Sequence, residues 1–288
     1  MELAKKYDKE VRDQIRRRVL LERRIDRDLE KTIDDYRSWY GAQRAEGEVP
    51  LTILAEGDSW FRYVIGNALI FQLERILDVQ ILNLAQPGDK ACEMLTGKQH
   101  RRLAKVLKDG VIMDRKYEFL LFSGGGNDLV GKDTFHKWLH PYKKGMQPRD
   151  VINDRTLGHA LNLLGVHYRE LISLRDEFSP KTQLVFHAYD FAFPNGKKAC
   201  WLGPWLKPGL ELRKVPKEIR RDVVSIFLTR FHKFLRGLKK EFDRVIVVDT
   251  HNTVVTEKEW HNELHPKNPG FKKLAQLFAN EILNNYAN

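Results

Sequence analysis

From Leu51 onward the chain alternates between two kinds of apolar pattern. Short continuous runs, Leu51–Ala55, Val79–Leu84, Phe119–Phe122, Leu184–Phe186 and Val245–Val248, are separated by stretches with helical spacing. A run that is apolar at successive positions has no polar face to turn to water. It therefore reads as a strand buried on both sides, as in a parallel sheet. Between the runs, Ala68–Leu77 and Leu103–Leu107 read as short helices. Leu157, Leu161, Leu164, Tyr168 and Leu171 mark a longer one, and Ile219, Val223, Ile226, Phe227, Phe231, Phe234, Leu235 and Leu238 another. Phe271, Leu274, Leu277, Phe278 and Ile282 mark the last. Strands alternating with helices predict an α/β protein with a doubly wound, five-stranded parallel sheet. Ligands of such sheets bind at the carboxyl ends of the strands.

The first 45 residues follow a different rule. They predict one or two charged helices, with a thin apolar stripe of Val11, Ile15, Val19, Leu20 and Leu29. Residues 1–48 are thus expected to form a charged helical extension, and residues 49–288 the main domain. The stripe suits packing along that domain or a partner helix, and an exposed helix laced with salt bridges fits equally. Two stretches of the main domain read as insertions. Residues 131–155 are polar and hold Phe135, Trp138 and Tyr142. Residues 193–217 hold Trp201, Trp205 and several Pro and Gly. At the active edge such segments form lids or substrate walls, and their aromatics are expected to line a pocket or to pack within the loop itself.

With 288 residues, 42% of them hydrophobic, the chain can bury a large core. It has no apolar stretch of about 20 residues of the kind a membrane span needs. The N-terminus is charged from Lys5 and lacks the apolar core of a secretory signal, so a cytoplasmic protein is expected, or one exported without a cleavable signal. Cys92 and Cys200 are the only cysteines; they read as two free thiols, with no disulfide framework and no zinc spacing. The net charge of +11 is spread over Lys98–Arg102, Lys143–Lys144, Lys197–Lys198, Arg213–Lys217 and Arg236–Lys240. Such a field favours anionic partners, phospholipid surfaces or acidic glycans among them. No nucleic-acid-binding motif accompanies it, so specific nucleic-acid binding is not expected. Oligomeric state is not legible.

Four short blocks carry the chemistry. Gly57-Asp58-Ser59, Gly88-Asp89 and Gly125-Gly126-Asn127-Asp128 each follow an apolar run, which places them at one edge of the sheet. Asn262-Glu263-Leu264-His265-Pro266, before the last helix, can fold back over that edge. Ser59 can act as nucleophile, or can simply cap a helix. The amides of Ser59 and Gly88 and the Asn127 side chain can donate to an oxyanion. His265 is the best base, with His187, His251 and His261 as rivals. Asp128 reads as a brace of its loop.

Taken together, the four blocks resemble those of the SGNH hydrolases, also called the GDSL lipase/esterase family, over residues 51–288 apart from the two insertions. The resemblance implies a flavodoxin-like three-layer α/β/α sandwich. It implies Ser59 as nucleophile, Ser59 N–H, Gly88 N–H and Asn127 as oxyanion hole, and His265 as general base, oriented by an acid three residues earlier. It also implies hydrolysis of lipid, acetylated-glycan or similar small-molecule esters, with no cofactor and no metal. Two positions depart from the pattern. Trp60 stands where leucine is usual, which is expected to alter packing only. Asn262 stands where aspartate is usual. An amide can orient an imidazole but cannot supply the negative charge that stabilises imidazolium. Three readings follow, in order of preference. Asn262 orients His265 in a slower enzyme; Glu263, Glu56 or Asp249 supplies the charge; or the site binds ligands without turning them over. Transfer to an alcohol instead of water is a weaker alternative.

Overall fold

The computed structural model describes residues 2–63, 68–112, 115–131, 133–198 and 203–286, with side chains for residue 20 and from residue 22 onward. It divides into two compact units, Met1–Pro50 and Leu51–Asn288. The first is one long helix, α1 (Glu2–Ala45). Its exposed pairs Arg24–Asp28 (3.9 Å) and Lys31–Asp35 (2.5 Å) stand at i,i+4, where each contributes only a few tenths of a kcal/mol. Of the apolar stripe, Val11, Ile15 and Val19 have side chains outside the described residues. Leu20 is exposed.

The second unit is a parallel sheet of β1 (Ile53–Gly57), β2 (Leu82–Asn83), β3 (Phe119–Ser123), β4 (Gln183–His187) and β5 (Val245–Val248). Their spatial order is β2-β1-β3-β4-β5, the flavodoxin-like winding. The crossovers run through α2 (Leu69–Leu77), α3 (Gly97–Asp109), α4 (Asp154–Phe178) and α5 (Arg220–Glu241), and α6 (Asn268–Tyr286) closes the chain. Right-handed crossovers put α2 on one face and α3, α4 and α5 on the other. Helix α6 returns to pack on α2, completing three layers.

Two strands sit differently from the apolar runs. Strand β1 starts two residues late and runs on to Gly57. Thr52 gives its N–H and its hydroxyl to the Glu118 carboxylate instead of the ladder. Strand β2 keeps only Leu82 and Asn83, because the N–H groups of Val79 and Ile81 go to Glu74. The residues of β1 and β3 are buried throughout. On the α4 side, Tyr168 stands edge-on to Phe122 and Phe186 and donates its hydroxyl to Gly124 O (2.9 Å). On the α6 side, Phe61 meets Phe278. Each such ring contributes about 2–3 kcal/mol by leaving water. These layers hold the carboxyl edge rigid.

Candidate active site

Strand β1 ends where it touches β3 most closely. A Cβ on Gly57 would lie 2.7 Å from Ser123 Cβ, so only glycine fits there. The next residue, Asp58, is buried and ties three strand ends together. One carboxylate oxygen accepts Trp60 N–H (3.0 Å) and Ser123 Oγ–H (2.8 Å). The other accepts Tyr189 O–H (2.7 Å). Burial pushes its carboxyl up to about 6, against the pull of these donors.

Ser59 therefore leaves a fixed point. It does not cap a helix: residues 58–62 form a turn in which Phe61 and Arg62 N–H return to Asp58 O, and α2 begins only at Leu69. Its Oγ lies 2.7 Å from His265 Nε2.

His265 is held by a tight loop. His261 N–H donates to His265 O (2.8 Å), and Trp260 bridges to Pro266. Inside this loop Asn262 is fully buried. Its Oδ1 accepts Leu264 N–H (2.8 Å) and His265 N–H (3.0 Å), and stands 3.0 Å from His265 Nδ1. Backbone amides can only donate, so that atom is the amide oxygen, and His265 carries its proton on Nδ1. Nε2 is left as an acceptor for the Ser59 hydroxyl. Asn262 Nδ2 donates to Tyr63 Oη (2.9 Å), and the Tyr63 ring stacks on the imidazole (centroids 4.1 Å, 14° between planes). Burial, helped by the charge of His261, pulls the His265 pKa down to about 3. The ring is neutral at rest.

The other candidate acids do not reach His265. Glu263 turns away: its carboxylate accepts the N–H groups of Gly196, Trp205, Leu206 and Lys207 at 2.6–3.1 Å, gathering the segment that carries Trp205. The side chain of Glu56 bonds its own neighbour Gly57 N–H. Asp249 lies beside His232 and His251. Of the rival bases, His187 is buried between Trp60 and Phe61. It donates from Nε2 to Ser123 Oγ (2.9 Å), and burial lowers its pKa to about 3. It is a structural histidine beneath the site.

Trp60 does more than pack. Its indole N–H donates to Leu264 O (2.9 Å), which binds the serine turn to the histidine loop. This contact went unread in the sequence, as did Tyr63 and Tyr189. The usable signal was an indole donor next to the serine.

The amides of Ser59 and Gly88 have no acceptor among the described residues. Gly88 has φ +90°, a left-handed conformation that glycine adopts without strain. Asn127 is not at the end of β3 but inside a single helical turn, Gly126–Leu129. Its Nδ2 donates to Asp89 O (2.9 Å), leaving its second N–H to point elsewhere. Asp128 braces the loop by accepting Ala91 N–H (2.9 Å).

Beside Ser59, Asn127 and His265 lies a small, partly open cavity of about 50 Å³. Its wall is chiefly apolar: Leu129, Leu206, Val224, Phe227, Leu228 and Phe231 are among its lining residues. Among the described residues, the aromatics of the two insertions are not in its lining. Phe135 packs on Phe227, the Trp138 indole donates to Leu129 O, and Trp205 stands edge-on to His265. Trp201 and Cys200 lie outside the described residues. No helix among the described residues is long and apolar enough to cross a membrane.

Two solved structures share this architecture. One is an extracellular lipase from Streptomyces rimosus, 13% identical, aligned over 80% of this chain and 99% of that one, with a TM-score of 0.51. The other is the lipase Lip_vut3 from a goat rumen metagenome, 17% identical, over 79% and 95%, with a TM-score of 0.50. The chain has the SGNH-hydrolase fold. A member of the lipolytic G-D-S-L family from Veillonella parvula, 14% identical, aligns over 81% of this chain and 97% of its own, with a TM-score of 0.42. At these identities the likeness concerns the fold alone. No protein-family model matches the chain, and no curated protein does.

Proposed function

We propose that this SGNH-fold protein is a serine ester hydrolase that works through a covalent acyl-enzyme on esters with an apolar acyl group. One observation carries the reading. Ser59 Oγ, His265 Nε2, His265 Nδ1 and Asn262 Oδ1 form a continuous relay of 2.7 and 3.0 Å at the mouth of an apolar cavity.

Neutral His265 takes the proton from Ser59 Oγ as the oxygen attacks the ester carbonyl. The tetrahedral oxyanion accepts hydrogen bonds from Ser59 N–H, Gly88 N–H and the second N–H of Asn127. Imidazolium then returns its proton to the leaving alcohol as the C–O bond breaks. Water, deprotonated by His265, attacks the acyl-enzyme and releases the acid and Ser59. The cavity beside Ser59 takes the acyl chain, and the +11 charge of the chain suits esters of anionic molecules, phospholipids included.

Asn262 makes this a slower version of the reaction. In a serine-protease triad, replacing the acid by asparagine lowers turnover about 10⁴-fold, largely through the wrong tautomer. Here two backbone N–H groups hold the amide oxygen toward His265, so the tautomer is right and only the charge is missing. The test is hydrolysis of p-nitrophenyl esters from acetyl to palmitoyl by the parent and by Ser59→Ala. Activity that disappears in the variant, with the fold retained, supports the mechanism, and full activity in the variant overturns it.

Asn262 also favours a second reading, a binding module that holds esters without cleaving them. In that case the parent is inactive on every ester and Asn262→Asp gains nothing.

A further inference from the structure

Away from Ser59, the middle of α5 passes the carboxyl end of β5. His232 faces inward from α5, Asp249 is the first residue after β5, and His251 follows two positions later. Among the described residues this is the one group of three His, Cys, Asp or Glu side chains whose ligand atoms all lie within 4.8 Å of one another.

The distances within the group are unusual for a hydrogen-bonded cluster. Asp249 Oδ1 is 3.7 Å from His232 Nδ1 and 3.4 Å from His251 Nδ1. Protein hydrogen bonds of this kind fall at about 2.7–3.2 Å. A tetrahedral ion with bonds of about 2.0–2.1 Å to nitrogen and oxygen sets its ligand atoms roughly 3.3–3.4 Å apart. The His251 spacing matches that edge length and the His232 spacing exceeds it by a few tenths of an ångström. His251 Nε2 is buried without a hydrogen-bond partner among the described residues.

We propose that His232, Asp249 and His251 bind one divalent transition-metal ion, of which Zn²⁺ is the model. Two imidazoles and one carboxylate suit a borderline ion better than calcium or magnesium, which prefer oxygen donors. The histidine rings are nearly buried, while the Asp249 side chain is 64% exposed, so the fourth position faces solvent and takes water. Phe191 stacks on the His251 ring (centroids 4.4 Å, 19°), and the ring of His232 stands edge-on to that of His251 at 4.8 Å. Both rings are thus held before an ion arrives. The Arg236 charge reaches His232 and limits affinity, since Asp249 is the only negative ligand.

The ion would join α5 to the loop after β5. Val224, Phe227, Leu228 and Phe231 of α5 line the cavity. Thr250, between two of the ligands, donates its hydroxyl to Tyr189 O (2.6 Å). The site therefore clamps the cavity wall and takes no part in the Ser59 relay. It does not depend on the hydrolase reading.

The experiment is calorimetric titration of the untagged full-length protein, stripped with EDTA, with zinc sulfate. Cobalt absorption and melting temperature provide parallel readouts. One ion per chain with micromolar or tighter affinity, a visible cobalt band and a raised Tm are expected. Asp249→Asn keeps the acceptor for His251 N–H and sits on the surface, so it folds; it should weaken binding by at least about 10-fold. His232→Gln and His251→Gln should abolish binding, while His100→Gln, at a half-buried histidine elsewhere, leaves it intact. No saturable binding by the parent protein overturns the proposal. So does equal affinity in Asp249→Asn, which decides the matter alone if the histidine variants fail to fold.

Discussion

The side-chain oxygen of Asn262 accepts the Nδ1 proton of His265 at 3.0 Å while also accepting the backbone N–H groups of Leu264 and His265. Three donors on one oxygen fix both the amide and the imidazole tautomer. What the residue withholds is charge.

Restoring that charge should show in both rate and pH profile. With His265 lowered to about 3 by burial, the acid limb of kcat/KM lies far below the ordinary histidine range, and activity is flat across about pH 5–8. In Asn262→Asp a carboxylate beside Nδ1 favours imidazolium, so the limb moves up toward about 6.5 and kcat rises by about 10-fold or more. A parent limb already near 6.5 would contradict this account.

Trp60 links the serine turn to the histidine loop through Leu264 O. Trp60→Phe keeps a ring against His187 but removes that hydrogen bond. Stability should fall by about 1 kcal/mol, the usual worth of one bond, while kcat drops about 10-fold with KM little changed. Urea unfolding and steady-state kinetics on the same preparation separate the two effects.

Glu263 satisfies four backbone N–H groups from a fully buried position. In Glu263→Gln the NH₂ must face one pair of those donors. A loss of about 1–3 kcal/mol is expected from urea denaturation. An unchanged midpoint would mean that the segment around Trp205 is held by other contacts.

Glu56 is buried in β1, and desolvation, with Asp89 nearby, raises its pKa to about 8. Between pH 4.5 and 8 the unfolded chain has released this proton and the folded chain has kept it, so stability falls as pH rises through that window. Glu56→Gln keeps the oxygen that accepts Gly57 N–H and removes the titration. It should be the more stable form at pH 8, by on the order of 2–4 kcal/mol, with no advantage at pH 4. Part of the slope persists, because Asp58 and Asp89 are raised in the same direction.

The sheet was legible because each strand falls on a short, largely apolar run, and its carboxyl edge because the motif blocks follow those runs. Strand ends were not, since Thr52 and Ile81 leave the ladder for carboxylates that pattern does not reveal. Asn262 and His265 could be paired by their three-residue spacing. The aim of Glu263 could not, because its partners are backbone amides, which carry no residue signature. Trp60 reaches Leu264 across 204 positions, and His232 meets His251 only because the middle of α5 packs over the carboxyl end of β5. Contacts of that kind belong to the topology.

The relay from Asn262 through His265 to Ser59 is tested most directly by reacting the protein with a fluorophosphonate ester and mapping the adduct by mass spectrometry. An acyl-enzyme site predicts one phosphonyl group on Ser59, absent in Ser59→Ala and strongly slowed in His265→Ala. No adduct on folded parent protein, or an adduct that persists on another residue in Ser59→Ala, would contradict it.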